Sequence, residues 1–457
     1  MQERWDVIIV GARCAGATLA TLLARRGLRV LVLDAAAQGS NMPMSTHFVQ
    51  GAGMDVLERL GLAARVRAVT PATTRLRYAV EDVVVNSAQP VERASYCVRR
   101  STLDPWLQDT AEEAGAELRF RARVFDLVRS GQRVTGVIAR TASGPTSLYA
   151  DLVVGADGRH STIAQLTGAR EYLVTQSTRA GYWSYYRAPQ EWPFNWDASL
   201  EHLGTDLRYV FRCDGDEVLL TYVGEREQVN AWSSEEREGA LARAFAGSPS
   251  TAPLIRGRLP LRPATGLREA RFFYREPVGP GYVLVGDAGH FKDFVTGQGM
   301  SDAFLDAQQL AAAILDDRAG SLQHYWRERD VTSLPLHLDA NNQGEIGWNE
   351  PFLRWVLRDF AVKPELAARI LRMLDRQLDP AKVIPTRTML SALLSALAHG
   401  RLDVLRGFLS TARRSVSEQR ERAHRARLLK VAQAELAKSA RPAAIASPSV
   451  LNVSSPG

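Results

Sequence analysis

Apolar and mixed stretches alternate along the first third of the chain in an order that predicts its elements. Residues 7–10 and 30–33 are unbroken apolar runs, the pattern of strands buried on both faces. Between them, residues 15–25 have the apolar spacing of a helix, so strand, helix and strand follow one another. Residues 54–61 read as a second apolar-periodic helix stopped by Gly61. Residues 117–140 alternate apolar and polar positions with Ser130-Gly131 at a turn, which predicts an antiparallel meander. From 171 to 275 the pattern changes to aromatic-rich strands and irregular loops. There Trp183 and Tyr185 share one strand face, and Tyr182, Ser184 and Tyr186 the other. Helices are predicted over 301–315, 351–362, 364–377 and 388–398.

The junction of the first strand and helix reads Gly11-Ala12-Arg13-Cys14-Ala15-Gly16, and Asp34 closes the second strand. This is the order of a dinucleotide-binding unit. Gly11 suits the tight turn, the helix start at Ala15 and Gly16 offers free N–H groups and a dipole to a pyrophosphate, and Asp34 suits unphosphorylated ribose hydroxyls. Arg13 stands where a second glycine is usual, and its guanidinium offers a charged fork to phosphate oxygens. By itself the unit serves NAD or FAD.

Two further stretches, Gly155-Ala156-Asp157-Gly158 and Gly286-Asp287-Ala288-Gly289-His290, each follow an apolar strand. Taken with the first, they resemble the FAD-dependent aromatic hydroxylase (group A) flavoprotein monooxygenases, relatives of flavin-dependent halogenases and geranylgeranyl-type reductases, over about residues 5–330. The resemblance implies FAD as cofactor, with Asp157 and Gly158 beside it and the Gly286 turn placing Asp287 on the flavin-side ribose. It also implies Arg100 on the phosphate and ribose side, and Gly297-Gln298-Gly299-Met300 passing the isoalloxazine. Phe294 departs from the family, which usually has Pro there; the change should free the loop and bring a ring to the flavin edge. Ile163-Ala164 replaces the usual Val-Arg. Lys292 is the first lysine of the chain, and the stretch from Trp183 to Ala188 lacks the halogenase Trp-x-Trp-x-x-Pro pattern, which argues against halogenation.

The fold expected is α/β. A Rossmann-like FAD-binding domain forms from 1–75, 96–170 and 276–330, with an inserted mixed-sheet substrate domain from 76–95 and 171–275. A helical C-terminal region spans 331–440 and a disordered tail 441–457. The expected activity is FAD-dependent monooxygenation, a hydroxylation or epoxidation of a hydrophobic aromatic or polycyclic small molecule by way of a flavin C4a-hydroperoxide. O2 is then the cosubstrate. With no second GxGxxG, NAD(P)H is a transient reductant, or an external flavin reductase serves. The alternatives are a double-bond reductase and a non-redox flavoprotein cyclase. His47, Lys292 and Gln298 are the candidate catalytic groups, and Trp183, Tyr185 and Tyr222 the candidate substrate walls. His290 is expected to hydrogen-bond structurally, and Lys292 and Asp293 either pair on a loop surface or face flavin or substrate.

The formal net charge is +7, but residues 401–457 alone carry eleven Lys or Arg against four Asp or Glu. The body is therefore near neutral. The basic run from Arg413 to Lys430 is either a solvated helix or a surface for an acidic or carrier partner, and without interleaved aromatics it does not read as nucleic-acid binding. No apolar run reaches membrane-spanning length, the N-terminus does not read as a signal peptide, and three cysteines without metal-ligand spacing suggest neither a disulfide framework nor a metal site. A cytoplasmic protein is expected.

Overall fold

The computed structural model describes residues 3–39, 45–316, 318–347 and 351–438, so the tail expected over 441–457 lies outside the described residues. The first apolar run is a strand, Arg4–Val10, with parallel neighbours Gly144–Gly155 on one side and Val30–Leu33 on the other. Tyr282–Leu284 pairs in parallel with the far side of Gly144–Gly155. The chain leaves Arg4–Val10 toward one side of the sheet and returns on the other, which opens a crevice at the strands' carboxyl ends. All three glycine motifs emerge there. Of the meander expected at 117–140, Arg123–Ser130 and Arg133–Thr141 pair antiparallel, and Arg133–Thr141 pairs antiparallel in turn with Gly144–Gly155, whereas Glu117–Arg119 is instead a parallel neighbour of Val30–Leu33 at the edge of the nucleotide sheet.

A ten-stranded sheet forms the second body, with Arg179–Arg187 paired to Glu217–Glu225 near one end. The pleat sends Trp183 and Tyr185 into the core shared with the helices Pro351–Val362 and Pro364–Leu374. Tyr182, Tyr186 and Tyr222 go to the other face, against Leu241 and Phe245 of the helix Ser234–Ala246. The expected boundaries at 75 and 96 need correction. Phe48–Val49, Ala72–Thr73 and Ser95–Cys97 also join this sheet, because Phe48 and Cys97 pack against Phe211 and Cys213 in its core. Glu171–Gln176 instead pairs with Arg271–Arg275 in a separate small sheet.

The C-terminal region is helical. Pro351–Val362 has the predicted bounds, whereas the helix expected over 364–377 ends at Leu374, and Arg376 then takes a left-handed φ of 60°. The last helix, Val404–Lys438, contradicts a wholly solvated reading. Its Arg422 bonds Asp379, and its Arg425 bonds Glu421 and reaches Asp330, at the centre of a buried cluster with Arg329. Among the described residues, no helix is long and apolar enough to cross a membrane.

Candidate active site

An elongated cavity of about 740 Å³ runs from the carboxyl ends of the nucleotide sheet to the ten-stranded sheet. At its first end, Asp34 accepts the N–H groups of Ala12 and Ala36, both at 2.8 Å, which aims the carboxylate at the mouth of the glycine loop. Gly11 has φ 107°, and a Cβ there would lie 2.4 Å from the Ala156 oxygen; one on Gly16 would lie 1.8 Å from the Gly11 oxygen. The loop and the second motif are thus in backbone contact, and only glycine fits either position. Arg13, by contrast, sits at an ordinary φ of −105° as N-cap of the helix Cys14–Ala24 and lines the cavity without strain.

Further along, Arg100 and Asp104 form an (i, i+4) pair at 2.6 Å on the helix Arg100–Glu113, leaving the second Asp104 oxygen buried without a protein partner. Asp157 accepts the N–H groups of Thr162 and Ile163 through one oxygen, and its other oxygen is likewise buried and unpartnered. Asp287 lines the same wall, and burial raises its pKa above the usual carboxylate range against the pull of His290, Arg100 and Arg159. Cations, unsatisfied carboxylate oxygens and a glycine cradle along one groove fit a dinucleotide.

The far end is apolar, with Trp183, Leu267, Phe291 and Phe294 on its walls beside Gly297, Gly299 and Met300 at the start of the helix Gly299–Leu315. Phe294 begins the loop that leads to Gly297. It opens a short 3₁₀ turn in which the Asp293 carboxylate accepts the Val295 N–H at 3.0 Å. Lys292 and Asp293 both line the cavity and are buried, so neither lies on a loop surface, and they do not pair with each other. Lys292 Nζ is 2.8 Å from Asp302 and donates to Gln298 Oε1 at 2.9 Å. Burial and the neighbouring Arg376 push the Lys292 ammonium well below its ordinary value, opposed by the carboxylates of Asp306, Asp339 and Asp287.

Burial also lifts the Asp293 carboxyl to about 7. Its folded pKa therefore exceeds its unfolded one, and the folded chain keeps a proton that the unfolded chain releases between about pH 4 and 7. Asp293→Asn should flatten a fall in stability as pH rises through that window. Thermal melts from pH 4 to 8 measure it, and parallel curves for both proteins would refute it.

Several expected site residues lie elsewhere. His47 does not line the cavity. It is buried at a left-handed φ of 57°, its Nε2 hydrogen-bonded to the Tyr185 hydroxyl and its Nδ1 accepting the Arg100 N–H. Burial and Arg100 lower its pKa to about 3, so it stays neutral and fastens the Thr46 wall to the sheet. Tyr185 is tied up in the same contact, under the Arg262 guanidinium. The Gln298 side chain turns away from the cavity, donating to the Leu374 carbonyl at 3.2 Å. Tyr222 lies on the opposite sheet face beside Trp232. Gly16 and Gly286 shape the loop backbone instead of lining the cavity. His290 has the expected structural bond, to Asp306 at 2.8 Å. Sequence reasoning missed Asp104, which its helical spacing from Arg100 signals, and Arg159, Asp302 and Arg376, which carry no local signal.

A family model described as FAD binding domain matches residues 4–332. Digeranylgeranylglycerophospholipid reductase 1 of Methanococcoides burtonii is 25% identical over 365 residues, 72% of this chain and 80% of that protein. Protein FixC of Escherichia coli is 34% identical over 191 residues, which is 39% of this chain and only 42% of FixC. Among solved structures, p-nitrophenol 4-monooxygenase PnpA of Pseudomonas putida superimposes with a TM-score of 0.70 at 18% identity, covering 82% of this chain and 99% of that one. That likeness is one of fold. Arg376 and the helix before it lie beyond the matched family region.

Proposed function

We propose, from the premise that this chain belongs to the FAD-binding domain family and is an FAD-dependent oxidoreductase, that it oxygenates a hydrophobic aromatic or polycyclic small molecule at the apolar end of the cavity. One observation carries the reading. The groove fitted to the dinucleotide is continuous with a chamber walled by Trp183, Leu267 and Phe294, into which a buried ammonium and a buried carboxyl face. Flat apolar walls with a few placed polar groups suit a planar substrate.

In this reading Asp34 holds the adenosine ribose, Arg13 and Arg100 the pyrophosphate, and Asp287 the sugar chain next to the ring. When bound, the flavin supplies the redox chemistry, taking electrons from NAD(P)H and activating O2. The residues supply the surroundings. The N–H groups at Gly297 to Met300 and the helix dipole behind them stabilise negative charge on the ring. Trp183 and Phe294 orient substrate and exclude water. Asp293, with a pKa near neutrality, takes or returns the proton of a substrate hydroxyl. Lys292 holds a negative substrate oxygen while Asp302 keeps the ammonium in place. His47 and Gln298 act as positioning residues.

Turnover under isotopically labelled O2 tests the reading, since product mass should rise by one labelled oxygen atom per NAD(P)H consumed. A double-bond reductase is the second reading, favoured by the likeness to the archaeal lipid reductase over most of its length. Anaerobic turnover to a reduced product would establish it and overturn oxygenation. Turnover needing neither NAD(P)H nor O2 would overturn both.

Flavin retention tests the nucleotide half separately. Asp287→Ala should lower FAD affinity by one to two decades, because a lost charge-assisted hydrogen bond costs about 1.5–3 kcal/mol. The absorbance ratio at 450 and 280 nm reads the result, and an unchanged ratio would remove Asp287 from the cofactor site.

A further inference from the structure

We infer that the corner between the helices Thr386–Ala398 and Val404–Lys438 is a docking face for an anionic lipid surface. Of the sixteen large apolar side chains exposed among the described residues, five fall within twenty residues of chain here: Leu390, Leu394, Leu402, Leu405 and Leu409. Elsewhere such side chains are scattered, as on any protein surface. Leu394 and Leu402 are the most open of the five, at 68% and 69% exposed.

Internal packing does not account for these leucines. The first helix turns Thr388, Ala392 and Ala396 toward the core, and the second begins with Val404 and Gly407 buried. Leu390 and Leu394, like Leu405 and Leu409, are four residues apart and so line the opposite, open side of each helix. Both helices are thus apolar on two faces, the outer one a patch of the kind that marks an interaction site.

Charge identifies the occupant. Residues 386–420 carry six arginines and two carboxylates, a surplus of four positive charges. Arg387, Arg401, Arg406 and Arg413 are exposed among the leucines, while the more distal Arg422 and Arg425 are engaged inside the protein. An isologous pairing with a second copy would set this cationic rim against itself. Leucines flanked by arginines match the boundary of an anionic bilayer, where the apolar side chains enter the acyl region and the guanidinium groups meet lipid phosphates. The chain then rests on the bilayer, in keeping with the lack of a spanning helix among the described residues.

The FAD-loaded, full-length protein should co-sediment with mixed phosphatidylglycerol and phosphatidylcholine vesicles, and high salt should release it from them. It should not co-sediment with phosphatidylcholine alone. Leu394→Gln combined with Leu409→Gln should weaken vesicle affinity about tenfold or more. Arg406→Gln combined with Arg413→Gln should weaken it about thirtyfold. All four positions are exposed, so flavin content and Tm should be unchanged. No binding to the anionic vesicles, or binding that survives the leucine substitutions, would overturn the inference. So would a dimer, seen by sedimentation velocity without lipid and abolished by those substitutions, which would assign the face to a second copy.

Discussion

Gly16→Ala should yield protein without flavin colour. The added methyl would lie 1.8 Å from the Gly11 carbonyl oxygen and 3.2 Å from the Ala156 side chain. Neither the loop nor the second motif can yield alone, since Gly11 itself stands against the Ala156 backbone. The clash is with backbone, so its cost should exceed the roughly 1–3 kcal/mol of ordinary core overpacking. It falls on the turn that presents the helix N-terminus to the pyrophosphate. We expect FAD affinity to drop by more than two decades, read as the flavin-to-protein absorbance ratio and by titration of apoprotein with FAD. A Gly16→Ala protein that stays yellow with unchanged affinity would mean that the strand-to-helix junction is not where the pyrophosphate sits.

Asp302→Asn should be the most destabilising single change at the far end of the cavity. The carboxylate lies between Lys292 and Arg376, both largely buried, and pairs with each. Neutralising it leaves two adjacent cations without their counter-ion. Breaking a buried pair in this way costs about 3–5 kcal/mol, which for a chain of this size lowers Tm by about 3–5 °C. Lys292→Met should cost less, because Asp302 then keeps Arg376 as partner. The deficit of Asp302→Asn should narrow as pH rises toward 10. The folded-state pKa of Lys292 lies below the unfolded one, so the unfolded chain binds the extra proton in that window and stability rises with pH. Thermal melts of the three proteins between pH 6 and 10 decide the matter. Equal losses in both variants, or a deficit independent of pH, would show that the carboxylate is not shared.

The nucleotide half of the site was legible because its chemistry is local. Gly11, Arg13 and Asp34 lie within twenty-four residues of chain, on a strand, a turn and a helix whose apolar periods announce them, and the backbone geometry of that unit follows from the turn. Alternation likewise separated Trp183 and Tyr185 from Tyr182 and Tyr186, as the two cores of the ten-stranded sheet do. Periodicity does not say which face meets the cavity, and Tyr222, named with Trp183 and Tyr185 as a substrate wall, lies on the face opposite to theirs.

The side chains of His47 and Gln298, both named as catalytic candidates, point behind the cavity wall for a related reason. Their chain neighbours Thr46, Gly297 and Gly299 line the cavity, but each side chain finds its hydrogen-bond partner behind the wall, in Tyr185 and in the Leu374 carbonyl. Those partners are 138 and 76 residues away in the chain, and no local pattern couples them.

The sequence by itself determined the α/β architecture and the glycine motifs that follow its strands, because turn sterics, helix dipoles and strand periodicity act over a few residues. Only the tertiary structure decided which ionisable groups line the end of the cavity at the ten-stranded sheet and how they are held. Lys292 and Asp293 owe their shifted pKa values to burial, and Asp302 is shared with Arg376 from a helical region outside the matched family. Desolvation and ion pairing depend on everything within a few ångströms, and here that neighbourhood is assembled from chain segments far apart in the sequence.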